Sequence, residues 1–105
     1  MKAYKLFHLR KDGTLGSLFI GRKRALPLDV WLIAQSIKTK GYAYRPGWHC
    51  THAPEAPHLK KEPVGHNRVW CEVEIRDNIN TFKRPKSQGG VWFTAQEMRI
   101  VEILG

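Results

Sequence analysis

Histidines, a cysteine and aromatic rings crowd into residues 42–59. The chain there reads Tyr42-Ala43-Tyr44-Arg45-Pro46-Gly47-Trp48-His49-Cys50-Thr51-His52, then runs through Pro54 and Pro57 to His58 and Leu59. Three of the five histidines and one of the two cysteines fall in it. Ordinary turns are built from Gly, Pro, Asn, Asp and Ser, so a connecting segment this rich in reactive and aromatic side chains points to a site. Three chemistries are open to it. Zinc is the first: His49, Cys50, His52, His58, His66 and Cys71 are the right ligand types. Their spacing argues against it, because there is no Cys-x-x-Cys pair and no His-Glu-x-x-His helix. Thiol chemistry at Cys50 is the second, since neighbouring histidines and Arg45 would favour a thiolate. Neighbours on an extended segment point to alternate sides, however, so adjacency is not a Cys–His dyad. The third is nucleotide or nucleic-acid binding. Tyr42, Tyr44 and Trp48 can stack on a base while Arg45 reaches a phosphate. Arg22-Lys23-Arg24, Lys38, Lys40 and Lys83-Arg84-Pro85-Lys86 can neutralise further phosphates. Trp70 and Trp92 fall on expected strands and read as core residues.

Charge supports the third chemistry. The formal net charge is +9 over 105 residues. Residues 1–46 hold ten Lys or Arg against two acids, a net +8; residues 47–105 hold eight against seven, a net +1. Such asymmetry suits an anionic partner for the N-terminal half, a nucleic acid or an acidic protein. The length implies one domain, 1–105, with a core that needs no disulfide staples. Two cysteines make no disulfide framework, so both are expected as thiols in a reducing compartment. No apolar run nears the ~20 residues of a membrane span, and the N-terminus has no signal-peptide core. The expectation is a cytoplasmic protein with no membrane contact.

The elements that must position these groups follow from periodicity. Residues 2–10 alternate as a strand, Lys11-Asp12-Gly13-Thr14 turns, and residues 15–20 return. Val30, Ile33, Ala34 and Ile37 recur at helical spacing behind Pro27-Leu28-Asp29, which predicts one principal helix over residues 29–38 with Asp29 as N-cap. Residues 42–45 read as a short strand. Residues 68–76 form the clearest strand, with Val69, Cys71, Val73 and Ile75 on one face. Residues 77–90, with Lys83-Arg84-Pro85-Lys86 and Gly89-Gly90, read as a loop or flap. Residues 91–93 and 98–104 finish as strands. The predicted fold is α+β: five or six short strands in a mostly antiparallel sheet with one packed helix.

Arg45-Pro46-Gly47-Trp48-His49, Ala56-Pro57-His58-Leu59 and Val69-Trp70-Cys71-Glu72-Val73-Glu74-Ile75 together resemble a family of small uncharacterised phage and prophage proteins. That resemblance implies a mobile-element setting in an infected or lysogenic bacterial host and brings no established activity. A fainter resemblance is to ADP-ribosyltransferases. It implies NAD as cofactor, with His8 or Arg10 in the role of the early NAD-binding residue. Trp48-His49-Cys50-Thr51 would be the second region, and Gln88 would stand near the third. That family has an acid at the third position, and Gln88 cannot act as a carboxylate.

Two functions are therefore expected from the sequence. One is a non-enzymatic phage-type accessory protein that binds a nucleic acid, a nucleotide or an acidic host defence factor. Tyr44, Arg45, Trp48 and His49 would recognise the partner, and Arg22, Lys23 and Arg24 would attract it; no cofactor or metal is needed. The alternative is a small NAD- or nucleotide-using enzyme relying on His8, Arg10, His49 and Thr51, with Glu97 or Gln88 near the third position.

Overall fold

The computed structural model describes residues 1–18, 25–34, 47–55 and 67–105. Eight strands follow in order: β1 (Lys2–Leu9), β2 (Leu15–Gly16), β3 (Trp31–Ile33), β4 (Trp48–Thr51), β5 (Asn67–Arg76), β6 (Asn80–Lys83), β7 (Val91–Ala95) and β8 (Glu97–Ile103). They join one sheet in the order β3-β8-β5-β1-β4-β7-β6, with β2 paired to β1. Every strand pairing among the described residues is antiparallel. The one helical element among them is a 3-10 turn at Lys86–Gln88 between β6 and β7. None of their helices is long and apolar enough to cross a membrane.

The expected α+β fold with a helix over residues 29–38 is thus corrected. Trp31–Ile33 is an edge strand paired to β8, with Leu32 opposite Met98, and residues 35–38 lie outside the described residues. The apolar stripe points the wrong way for a helix. Val30 and Ile33, which belong to the stripe, are exposed, while Leu32, which does not, is buried. Asp29 does not cap a helix; it has a left-handed φ of 58°, and its N–H donates to the Ile100 carbonyl. The physical reason is that a short run such as Trp-Leu-Ile fits either period. Pairing with a distant strand then decides the outcome. Residues 77–90 are likewise more than a loop, because they contain β6 and the 3-10 turn.

One face of the sheet builds the core. Val69, Cys71, Val73 and Ile75 alternate inward along β5, as their spacing predicts, and all are buried. Ala3 and Phe7 lie opposite Val73 and Val69 on β1, and Met98 and Ile100 oppose Ile75 and Val73 on β8. Burying a side chain as large as Phe7 contributes roughly 2–3 kcal/mol. The sheet curls around this core. The Trp48 indole N–H on β4 donates to the Leu32 carbonyl on β3 at 2.9 Å, in a buried position. Those two strands are separated by β1, β5 and β8 in the sheet order. The opposite, outer face is where the candidate site lies.

Candidate functional site

Residues directly opposite in an antiparallel pair share a face. That rule traces one row across the outer face. Phe82 pairs with Trp92, Trp92 with Thr51, Thr51 with Tyr4, and Tyr4 with Glu72, so the row crosses β6, β7, β4, β1 and β5. A neighbouring row joins Asn80, Thr94 and His49. Leu6, Thr51 and Trp92 are buried on this face without belonging to the core cluster.

The β6–β7 end of the face gathers rings around a guanidinium. Phe82 and Trp92 stack with centroids 6.4 Å apart and planes 21° apart. The His49 ring meets Phe82 edge-on at 6.2 Å and 72°. The Arg84 guanidinium lies 5.5 Å from the Phe82 centroid and 5.6 Å from that of Trp92, within cation–π range. Local structure holds this arrangement. The Arg84 N–H donates to the Gly90 carbonyl at 2.7 Å and closes the hairpin. The Trp92 indole N–H donates to the Gln88 carbonyl at 2.7 Å. Gly89 turns with φ +96°, and a β-carbon there would stand 2.9 Å from the Trp92 indole nitrogen. The side chain of Trp92 therefore packs into space that glycine leaves open.

Charge is sorted along the sheet. Among the described residues all strand carboxylates, Glu72, Glu74, Glu97 and Glu102, lie on β5 and β8. There they meet cations: Lys2 reaches Glu72 at 3.1 Å, and Arg76 grips Glu97 at 3.0 and 3.4 Å. Arg76 also lies 3.8 Å over the Trp31 ring, with Arg99 5.7 Å from it. The chain holds no acid between Asp77 and Glu97, a stretch that carries Lys83, Arg84 and Lys86. β4 has none either. The ring cluster thus sits at the end of the sheet whose strands β4, β7 and β6 carry no carboxylate, beside Lys83, Arg84 and Lys86.

The residues expected from the sequence are distributed as follows. Tyr44, Arg45, Arg22, Lys23 and Arg24 lie outside the described residues. Trp48 and His49 occupy opposite faces of β4. Trp48 is in the core with its N–H spent on Leu32, so it is a structural residue, while His49 joins the outer cluster. Thr51 is 1% exposed. Its hydroxyl donates to the Ala53 carbonyl, with the Tyr4 carbonyl 3.3 Å away, so its single proton is already committed. Gln88 is exposed and enters the cluster through its backbone carbonyl. His8 shares the outer face opposite Arg68 and Gly16, roughly 13 Å along β1 from the Tyr4–Thr51 row. The Arg10 guanidinium lies against Gly16 beyond the end of β1. His49, Thr51 and Gln88 come to one end of the sheet, and His8 and Arg10 stand apart from them. Among the described residues no three His, Cys, Asp or Glu side chains gather as metal ligands. Both cysteines are buried thiols.

Phe82, Arg84 and Trp92 were not expected as a cluster. A signal was present: Phe82 and Arg84 are two apart before Gly89-Gly90, and Trp92 follows it, which is the pattern of a hairpin face. No family model, curated protein or solved structure matches this chain.

Proposed function

We propose that this protein is a binding protein of the phage and prophage accessory type, without catalysis of its own, and that its partner is a nucleic acid. One observation carries the reading: the strands β4, β6 and β7 and the hairpin at residues 84–90 bear cations and rings with no carboxylate, while the strand carboxylates stand on β5 and β8. Phosphates are attracted to such a surface because each one bound releases condensed counterions. Adjacent aromatic rings suit bases better than they suit an acidic side chain. The segregation also gives the ligand an orientation, since at the β5 and β8 end Lys2 and Arg76 are already engaged by Glu72 and Glu97.

The NAD reading draws less support. His49, Thr51 and Gln88 lie at one end of the sheet, yet β4, β6 and β7 supply no acid, and the Thr51 proton is already used. Oxocarbenium-like charge would then develop with no carboxylate on those strands to stabilise it.

Anisotropy of labelled oligonucleotides tests the proposal. Binding is expected at low salt, with log affinity falling linearly in log salt. Engagement of Lys83, Arg84 and Lys86 alone gives a slope of about −2 for a single strand. If no DNA or RNA binds at low salt, the nucleic-acid reading fails and an acidic protein becomes the partner to seek.

A further inference from the structure

We propose that Phe82 and Arg84 form a seat for one unpaired base and its phosphate, so that the nucleic acid bound is single-stranded. This rests on the nucleic-acid reading above and deepens it. Phe82 lies on β6, an edge strand of the sheet, and its ring is half-buried. Among the described residues Trp92 stacks along it and His49 meets its edge, which helps to fix it. A ring already fixed loses little rotamer freedom when a base lands on it. Trp92 is only 8% exposed, so it backs Phe82 rather than receiving the base itself. Its own position is set by the bond to the Gln88 carbonyl.

Arg84 supplies the second half of the seat. Its guanidinium is placed over both rings, and its backbone is anchored to Gly90. A guanidinium in that position can cover one edge of a base and donate to the attached phosphate. Lys83 and Lys86 flank it and are exposed. The geometry disfavours duplex for a simple reason. In a duplex the faces of the bases are stacked on one another, and a ring on a sheet face has no access to them. Base–ring stacking is also tolerant of sequence, because every base has a π-face.

The test uses the full chain with labelled oligothymidylate, oligouridylate and a DNA duplex of equal length at low salt. Both single strands are expected to bind more tightly than the duplex. Phe82→Leu keeps apolar volume but removes the π-face; it should weaken single-strand binding about tenfold and leave the salt slope unchanged. Phe82→Tyr should restore it. Arg84→Gln lies on the hairpin surface and should reduce the slope by about 0.7. Wild-type affinity in Phe82→Leu overturns the seat, as does a duplex bound as tightly as a single strand. If Phe82→Leu fails to fold, an unchanged slope in Arg84→Gln overturns it instead. Salt-dependent binding that ignores strandedness removes the seat alone; absence of all binding removes the nucleic-acid reading with it. Binding by only one of the two single strands shows that the 2′-hydroxyl or the thymine methyl is also read and keeps the seat.

Discussion

Lys5 stands opposite Cys71 across the β1–β5 pair. The register that sets Tyr4 opposite Thr51 continues to set Lys5 opposite Cys50. A lysine thus lies between two buried thiols on the core side of the sheet, and its ammonium donates to the His49 carbonyl at 2.8 Å. The residue as a whole is half-buried. Burial lowers the Lys5 pKa from 10.5, with Cys50 opposing the shift. Burial pushes Cys50 up to about 11 and Cys71 up to about 12, from 9.0. The signs differ. The folded thiols hold protons that unfolded thiols lose, so their contribution is complete below pH 9.0 and falls as pH rises through about 11 and about 12. Folded Lys5 releases its proton earlier than unfolded Lys5, so its contribution grows with pH up to 10.5. Urea midpoints measured from pH 7 to 11 should therefore fall more steeply between 9 and 10.5 in Lys5→Met than in the wild type. Parallel profiles would mean that Lys5 is not desolvated.

The β6–β7 hairpin is the element on which the site depends, and Gly89 is its most constrained position. At φ +96° an alanine is strained, and its methyl would stand 2.9 Å from the Trp92 indole nitrogen. Gly89→Ala should therefore destabilise the protein by more than about 1 kcal/mol and release Trp92 from the Gln88 carbonyl. A lower melting temperature together with a red-shifted tryptophan emission checks this; an unchanged melting temperature refutes it. The hairpin also shows where the sequence is legible and where it is not. Alternation along Val69, Cys71, Val73 and Ile75 foretold β5, because a strand buried on one face writes its period locally. β6 carries one large apolar residue, Phe82, between the Asp77-Asn78 turn and Pro85, so its period is too short to read. β3 carries an apolar run that fits two periods, and the β8 pairing that decides between them comes from far along the chain. Trp48 and His49 were singled out together, yet a strand must send them to opposite faces. Which face is core depends on Leu32, a contact that local sequence does not encode. The outer row is harder still, since Phe82, Trp92, Thr51 and Tyr4 meet only through cross-strand register.

At the scale of the whole molecule, charge is divided by position in the sheet rather than by half of the sequence. Read linearly, the basic excess belongs to residues 1–46. In the folded sheet, the C-terminal hairpin is basic as well, and the acids of β5 and β8 meet Lys2, Arg76 and the N-terminal ammonium, the last 3.6 Å from Glu74. Cations at the two ends should consequently do different work. Arg76 is bound to Glu97 and stacked on Trp31, so Arg76→Gln should cost less than about 1 kcal/mol of stability, as exposed pairs do. It should leave nucleic-acid affinity and salt slope as they are. Lys83 and Lys86 have no acid nearby in sequence, and the double change Lys83→Gln, Lys86→Gln should leave stability almost unchanged. It should reduce the single-strand salt slope by about 1.4, one phosphate contact per lysine. Measured side by side at several salt concentrations, the two variants separate a structural ion pair from a ligand-facing charge. Equal losses of log affinity per charge removed would mean that only net charge matters, and the division of the sheet would then have no part in binding.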